Sequence, residues 1–487
     1  MKTNLNRITS ALLAVLTLAS VVSCGGGDTG EKTTDAVSGG ETTAAVTEAP
    51  EPEFIDGLGE YDFGGEDYNM LIREWKIKDL FVEESIGEVY NDAVYERNRK
   101  IEERFNINYT MQTLPEEGAT WNKALGASVM ANDGAYDVVM PDYWWGCETG
   151  GFFLNMLDYK DIMDFEKPWW THGWNDNAEI YDQMYSAVGS LCTDIYSNTI
   201  ALFFSKNIIN QLDMESPYEL VRNRKWTMEK MKEMSAQSSS DLNGDGVFDL
   251  SADQYGAFFD LQSGRALFPS FGWETSTKQA DGSYAYEFWS EDFVKLYNDV
   301  YDIIWNMESV SYNGENAYNA FKNDRLLFLA QGIGVAVNLR DMESDFGIVP
   351  YPLRDESQED YISYNFGTFY QAIPKSASNP EMSAVILEAM NAETYHTVKD
   401  AYFEINLKEK FSRDTDTQEM LDMIINNLRF DFTFVNEAAT GSIVMYFFGQ
   451  VANKNSNIAS SYEKQQKSFQ KKLDKLFTTY AEAAAES

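Results

Sequence analysis

Histidine is almost absent from this 487-residue chain: the only two, His172 and His396, stand far apart. That excludes a histidine-rich metal site and leaves little support for a serine or cysteine triad. Basic residues are scarce as well. With 38 Lys and Arg against 78 Asp and Glu, the formal charge is −40, which excludes nucleic acid as a partner because binding it depends on neutralising phosphates. Anionic ligands are disfavoured by the same field unless a local arginine overrides it, and solubility accounts for most of the acidic excess. The three cysteines, Cys24, Cys147 and Cys192, show no repeated spacing. A disulfide framework is therefore not expected, and Cys147 and Cys192 read as free buried thiols. No P-loop, dinucleotide fingerprint or zinc-hydrolase helix is present, and after the N-terminal segment no apolar run is long enough to span a membrane.

What the sequence does carry begins with an export signal. Lys2 and Arg7 precede an apolar run from Ala11 to Val22, which is too short for a mature membrane helix. Val21-Val22-Ser23-Cys24 resembles the lipobox of bacterial lipoproteins. The resemblance implies that 1–23 is removed as a signal peptide, that the Cys24 sulfur carries a diacylglyceryl group, and that the protein is extracytoplasmic and held to the membrane by that anchor alone. Residues 25–53 contain no aromatic side chain, so they cannot offset the entropy of folding. Together 24–53 form a tether with an r.m.s. reach of roughly 30 Å.

The remainder is long enough for two or three structural units and is rich in aromatics, with 11 Trp, 28 Tyr and 30 Phe. Most must be core; a minority can form a binding platform. Strands are expected at Tyr68–Ile72, Asn106–Met111 and Val138–Met140, with helices at Glu88–Phe105 and Thr120–Met130 between them. This alternation is a parallel α/β unit. Val138–Met140 lack the alternation of a half-exposed strand, so the sheet should be covered on both faces. Pro141 stops the strand and leaves Asp142, Tyr143, Trp144 and Trp145 at its carboxyl end, where open α/β sheets bind ligands. Neighbouring side chains in an extended segment point opposite ways, so one of the two tryptophans, Trp144, is expected to face the ligand. Further on, Phe152–Ile162 reads as a short helix and turn, Ser186–Leu191, Thr199–Phe204 and Val335–Leu339 as strands, and Met228–Ser235 as a helix capped by Thr227. Trp226 is assigned to the core, and Trp169, Trp170 and Trp174 to packing or a rim.

A series of segments then resembles the extracytoplasmic solute-binding proteins of carbohydrate ABC transporters, the group that includes maltose-binding protein. The carriers are Arg97-Asn98 through Ile101–Phe105, Tyr136–Val139, Ala201–Asn207, Trp226–Glu229, Gly332–Val337, Phe346–Pro352 and Gln371–Ser376, in that order. Phe204-Ser205-Lys206 departs from the family's tyrosine and asparagine. The resemblance implies a two-lobe periplasmic-binding-protein fold of the maltose-binding type (class II), with crossover hinge strands. Its lobes fall at 54–195 with 368–435 and at 196–367 with 436–487, and the C-terminal helices near 455–480 pack on the second. It further implies a monomer that captures a sugar or oligosaccharide between its lobes, delivers it to the permease subunits of an ABC importer, and is not an enzyme.

Sugars need aromatic faces for their C–H side and planar polar groups for their hydroxyls. The candidate ligand residues are Asp142, Tyr143, Trp144, Trp145, Asp194, Tyr196, Trp273, Arg340, Asp341, Tyr364 and Asn365. No cofactor is required, but Asp241, Asn243, Asp245, Val247 (through its carbonyl) and Asp249, with Gly246 at the sixth position, match the first nine positions of a calcium loop. Ala252 replaces the usual twelfth-position glutamate, so a structural Ca²⁺ would need a remote carboxylate such as Asp253. Two other functions stay open at this stage: a secreted glycoside-active enzyme, for which the abundance of carboxylates is nearly uninformative, and a surface adhesin lipoprotein.

Overall fold

β1 (Glu66–Ile72) becomes progressively buried toward its carboxyl end, and it is the centre of a three-stranded parallel sheet. The structure, a computed structural model, describes residues 56–114, 118–403 and 415–486. The expected signal, Cys24 and the tether lie outside these residues, and all the described residues belong to one compact unit, Pro52–Ser487. Helix α1 (Val89–Phe105) buries Val94, Ile101 and Phe105 and ends where Asn106 takes a left-handed conformation, which asparagine tolerates better than most residues. The chain then returns as β2 (Ile107–Thr113), paired in register from Glu66↔Ile107 to Ile72↔Thr113. After α2 (Ala119–Ala131), β3 (Val138–Val139) pairs with the other side of β1. β3 is short for a simple reason. Met140 still donates its N–H to Leu71, but Pro141 has no N–H to continue the ladder.

The second sheet has the order β10-β4-β9-β5-β8, built from β4 (Ile200–Ser205), β5 (Tyr255–Phe259), β8 (Val310–Tyr312), β9 (Leu326–Gly332) and β10 (Phe346–Val349). β4 runs antiparallel to both its neighbours, whereas β5 is parallel to β8 and β9. Every residue of β4, β5, β9 and β10 is buried, as expected for a sheet covered on both faces. Helix α3 (Met228–Ser238) is capped by Thr227, whose hydroxyl accepts from the Lys230 N–H. A small hairpin, β6 (Ser276–Lys278) and β7 (Tyr284–Tyr286), stands apart from both sheets. The short helix α4 (Leu261–Arg265) follows β5 directly and is held by an Asp260 capping box.

Two segments pass side by side between the sheets. Thr199 bridges Asn365, with Ile200 N–H donating to Tyr364 and Phe366 N–H to Asn198. One segment continues into β4; the other runs on to pair Phe369 with Asp142 and Ala372 with Val139 beside the first sheet. Later helices are α5 (Pro380–Glu393), α6 (Phe432–Val435), α7 (Glu437–Thr440) and α8 (Ile458–Glu486). α8 packs differently from expectation. Its first half sets Tyr462 and Phe469 against Phe288 and Trp289, but its second half buries Leu473, Leu476 and Tyr480 with Ile180 and Phe432, so it packs on more than the second lobe.

Two expected strands are not strands. Ser186–Leu191 contributes only the isolated bridges of Ala187 with Gln371 and Gly189 with Trp170. Ile333–Leu339 is a 3-10 turn following β9, and at the junction the backbone of Gly332 lies against Ser197, where a Cβ would fall 2.7 Å from its carbonyl oxygen. The real strand is the apolar run immediately before it. Trp226, Trp169, Trp170 and Trp174 are all buried, as core packing requires.

Candidate functional site

The carboxyl ends of β1 and β3 open on a cavity of ≈ 480 Å³. Arg73 reaches it from the end of β1, Asp142 and Trp144 from the end of β3, and Asn198 with Phe366–Thr368 from the paired crossing segments. Gln262 and Arg265 come from α4 at the end of β5, and Glu437 from α7. A larger cavity of ≈ 1040 Å³ lies over α1, lined by Glu60, Arg97 and Thr397 among others, with no residue that follows the carboxyl end of a strand.

Each cation in and beneath the ≈ 480 Å³ cavity has a carboxylate partner. Arg73 is ion-paired with Asp142, and its guanidinium also lies 5.1 Å from the centre of the Trp145 ring. Lys76 is ion-paired with Asp194 and, at 2.9 Å, with Asp79. Burial pulls the Lys76 ammonium down, yet the two carboxylates outweigh it and hold the group above its ordinary range. Burial pushes the Asp194 carboxyl up. Arg265 is almost wholly buried and sits 3.9 Å from Glu437. It donates to the Tyr143 hydroxyl at 3.3 Å and to the Phe366 carbonyl, which also accepts from the Tyr143 hydroxyl at 3.1 Å. One carbonyl on a crossing segment thereby gathers a side chain from each sheet.

Three buried polar atoms of this lining have no hydrogen-bond partner among the described residues: Gln262 Oε1, Arg265 Nε and Glu437 Oε2. Such atoms are rarely left unsatisfied, since each costs about 1–3 kcal/mol. Two acceptors and one donor, on residues that line the cavity, match the donor and acceptor character of hydroxyl groups. Gly367 is required here by close approach: a Cβ on it would fall 2.9 Å from the Tyr143 ring.

The structure separates the residues expected from sequence. Asp142, Tyr143, Trp144 and Asp194 line the cavity, with Trp144 the most open of them at 58% exposure. Trp145 packs behind, 5.2 Å from Trp121. Tyr196 is a core residue, its hydroxyl 3.4 Å from Ser190 and its ring against Phe403. Asn365 is fully buried and works as a latch, donating to the Asp194 carbonyl and accepting from the Gly367 N–H. Arg340 and Asp341 follow the 3-10 turn rather than a strand end, and Asp341 is ion-paired with Lys322 at 2.6 Å, outside the cavity lining. Trp273 and Tyr364 line a different cavity, described below.

The loop expected to hold calcium is braced by its own hydrogen bonds. Both Asp241 oxygens accept loop N–H groups, from Gly244 and Gly246, and Asn243 and Asp245 accept from Asp245 and Val247. Asp253 accepts from Leu242 and Asp249, so the carboxylates brace the turn. Among the described residues no three His, Cys, Asp or Glu side chains gather as a metal site. Cys147 and Cys192 are both free and buried.

Sequence reasoning missed Arg73, Gln262, Arg265 and Glu437. The strand-end rule that found Asp142 applies equally to Arg73 after Ile72. Arg265 is a lone charge in the run Gly264–Phe268, which is a legible signal. Glu437 gives none, because only folding brings α7 to the strand ends.

No family model matches the chain, and no curated protein matches it. Solved structures do. The sugar-binding protein MalE of the phytopathogen Xanthomonas citri aligns over 86% of this chain and 100% of its own at 14% identity, with a TM-score of 0.57. A cyclo/maltodextrin-binding protein complexed with maltotetraose aligns over 86% and 97% at 10% identity, TM-score 0.53. The ABC substrate-binding protein Lmo0181 of Listeria monocytogenes, in complex with cycloalternan, aligns over 86% and 99% at 12% identity, TM-score 0.52. The mixed α/β chain thus has the two-lobe fold of the MalE-like periplasmic binding proteins.

Proposed function

We propose that this chain is an extracytoplasmic solute-binding protein that captures a sugar or short oligosaccharide between its lobes and presents it to the permease subunits of an ABC importer. The observation that carries the reading is the cavity at the strand ends, where every cation has a carboxylate partner and the lining residues Gln262, Arg265 and Glu437 carry buried polar atoms without a partner among the described residues. A neutral polyhydroxylated ligand satisfies those atoms without disturbing the ion pairs. Trp144 supplies the apolar face. The ligands bound in two of the structural relatives, maltotetraose and cycloalternan, are of the same chemical class.

Binding favours a closed arrangement because its contacts come from both sides of the crossing segments, Asp142 and Trp144 on one and Gln262 and Arg265 on the other. The lipobox-like Val21–Cys24 supports a lipid anchor, and no helix among the described residues is long and apolar enough to cross a membrane. The reading is a binding protein rather than an enzyme. A thermal-shift and calorimetric screen of the purified chain against mono- and oligosaccharides tests it. Saturable binding without product is expected; release of cleaved sugar, or no response to any carbohydrate, overturns it.

A further inference from the structure

The hairpin of β6 and β7 is rooted on the second sheet's side of the molecule. Its base is closed by the Glu287 N–H, which donates to the Thr275 carbonyl. Just before it, Trp273 stacks at 4.6 Å on Phe293 of the helix Glu291–Trp305, and Trp305 of that helix packs at 5.3 Å on Tyr312 of β8. The far end of the hairpin rests on the other lobe. Tyr284 donates its hydroxyl to the Asp176 carbonyl at 3.0 Å, Lys278 is ion-paired with Glu179 at 3.7 Å, and a Cβ on Gly282 would fall 3.5 Å from the Tyr181 nitrogen. The segment that receives these contacts belongs with the first sheet. Met156 N–H donates to the Met184 carbonyl, and Ala187 bridges Gln371, the neighbour of the Ala372 that bridges β3 at Val139. A cavity of ≈ 500 Å³ lies at this junction, lined by Asp176 and Asn177 from the first lobe and by Thr275, Ser276 and Lys278 from the hairpin, besides Trp273 and Tyr364.

α8 makes a second tie between the same parts. Near its start Tyr462 stacks at 4.0 Å on Trp289, beside the root of the hairpin. About 27 Å farther along the helix, at 1.5 Å per residue, the Tyr480 carbonyl accepts from Gln183 at 3.2 Å and the Tyr480 ring lies 5.1 Å from Tyr185. The backbone ladder of a helix fixes that length, so Trp289 and Tyr185 cannot move apart unless one end of α8 lets go. The two ties meet in a small hydrophobic cluster apart from the main core: Ile180 from the first lobe, Tyr284 from the hairpin, Phe432 from α6, and Leu473, Leu476 and Tyr480 from α8, each at most 5% exposed. Tyr284 lies flat on Phe432, with ring centres 3.9 Å apart. A rotation of the lobes about the crossing segments, in either sense, would displace Ile180 from Tyr284 and Leu473. Close-packed groups resist both separation and compression.

We propose that this cluster is an interlobe clasp that fixes the angle between the lobes in the empty chain, so that a ligand meets a cleft already formed. The clasp is tested without any sugar, so its failure is distinct from failure of the strand-end reading. Spin labels at Met130→Cys on α2 and Leu242→Cys after α3, exposed positions on opposite lobes, report the interlobe distance by double electron–electron resonance. The chain carries Cys24→Ser, and the buried Cys147 and Cys192 take no label. A single narrow distance is expected in the empty parent. Tyr284→Ala, which removes both the stack on Phe432 and the hydrogen bond to Asp176, should widen the distribution at least twofold. Where Tyr284→Ala loses the parent's circular dichroism, Lys278→Ala combined with Tyr284→Phe takes its place, with widening of at least one and a half times expected. A broad or two-peaked distribution in the parent, or an unchanged narrow one in the variant that keeps the parent's fold, overturns the proposal.

Discussion

Two tandem tryptophans in this chain, Trp144-Trp145 and Trp169-Trp170, look alike in sequence and have opposite surroundings in the fold. Trp169 and Trp170 are buried, and their indole N–H groups donate to the two oxygens of Glu388, at 3.0 and 2.8 Å. Trp144 is 58% exposed at the cavity mouth, and its neighbour packs on Trp121 beside Arg73. An aromatic pair becomes core when a distant acceptor satisfies both N–H groups, and a rim when Pro141 has already ended the strand that carries it. Burial of the polar edge, not the residue type, divides the two.

Substitutions can break that division. Trp170→Ala should have the largest effect, about 3–5 kcal/mol of lost stability from the cavity it leaves, read by denaturant unfolding. Sugar affinity measured on the folded fraction should stay near the parent value. Glu388 comes next. Burial raises its carboxyl from the ordinary 4.5 to about 8, so between those values the folded chain holds a proton that the unfolded chain has released. Stability therefore falls as pH rises through this window, by up to roughly 5 kcal/mol at 1.36 kcal/mol per unit. Glu388→Gln should be less stable than the parent near pH 5, and the gap should shrink by pH 8; parallel unfolding curves across that range would refute the assignment.

The other tryptophan pair should respond in affinity instead. Trp144→Ala is expected to weaken sugar binding about tenfold, ~1.4 kcal/mol, while stability changes by no more than about 0.5 kcal/mol. A large fall in melting temperature with unchanged affinity would place Trp144 with the core pair. Trp144→Phe, which keeps a flat apolar face, should be the mildest, with a loss of about 0.5 kcal/mol or less.

Much of the fold can be read locally. Apolar runs without alternation, at Val138–Met140 and in β4, mark strands buried on both faces, and Thr227 marks the start of α3. Asp142 and Trp144 follow from Pro141 alone, since a missing N–H ends a ladder wherever it falls. Val335–Leu339 shows where such reading fails: its composition suits a strand, but the strand is the preceding run, Leu326–Gly332, and the segment itself is a 3-10 turn.

By itself the sequence determined β1 to β4, helices α1 to α3 and the end of β3, because these depend on periodicity and on backbone donors present or absent within a few residues. Only the tertiary structure decided which polar and aromatic groups share a cavity. Glu388 lies 219 residues from the Trp169 it satisfies, Glu437 reaches the strand ends from the last part of the chain, and Asn365 is turned inward by the crossing at Thr199. Those placements depend on long-range packing and on the satisfaction of buried polar atoms, which no local pattern of residues encodes.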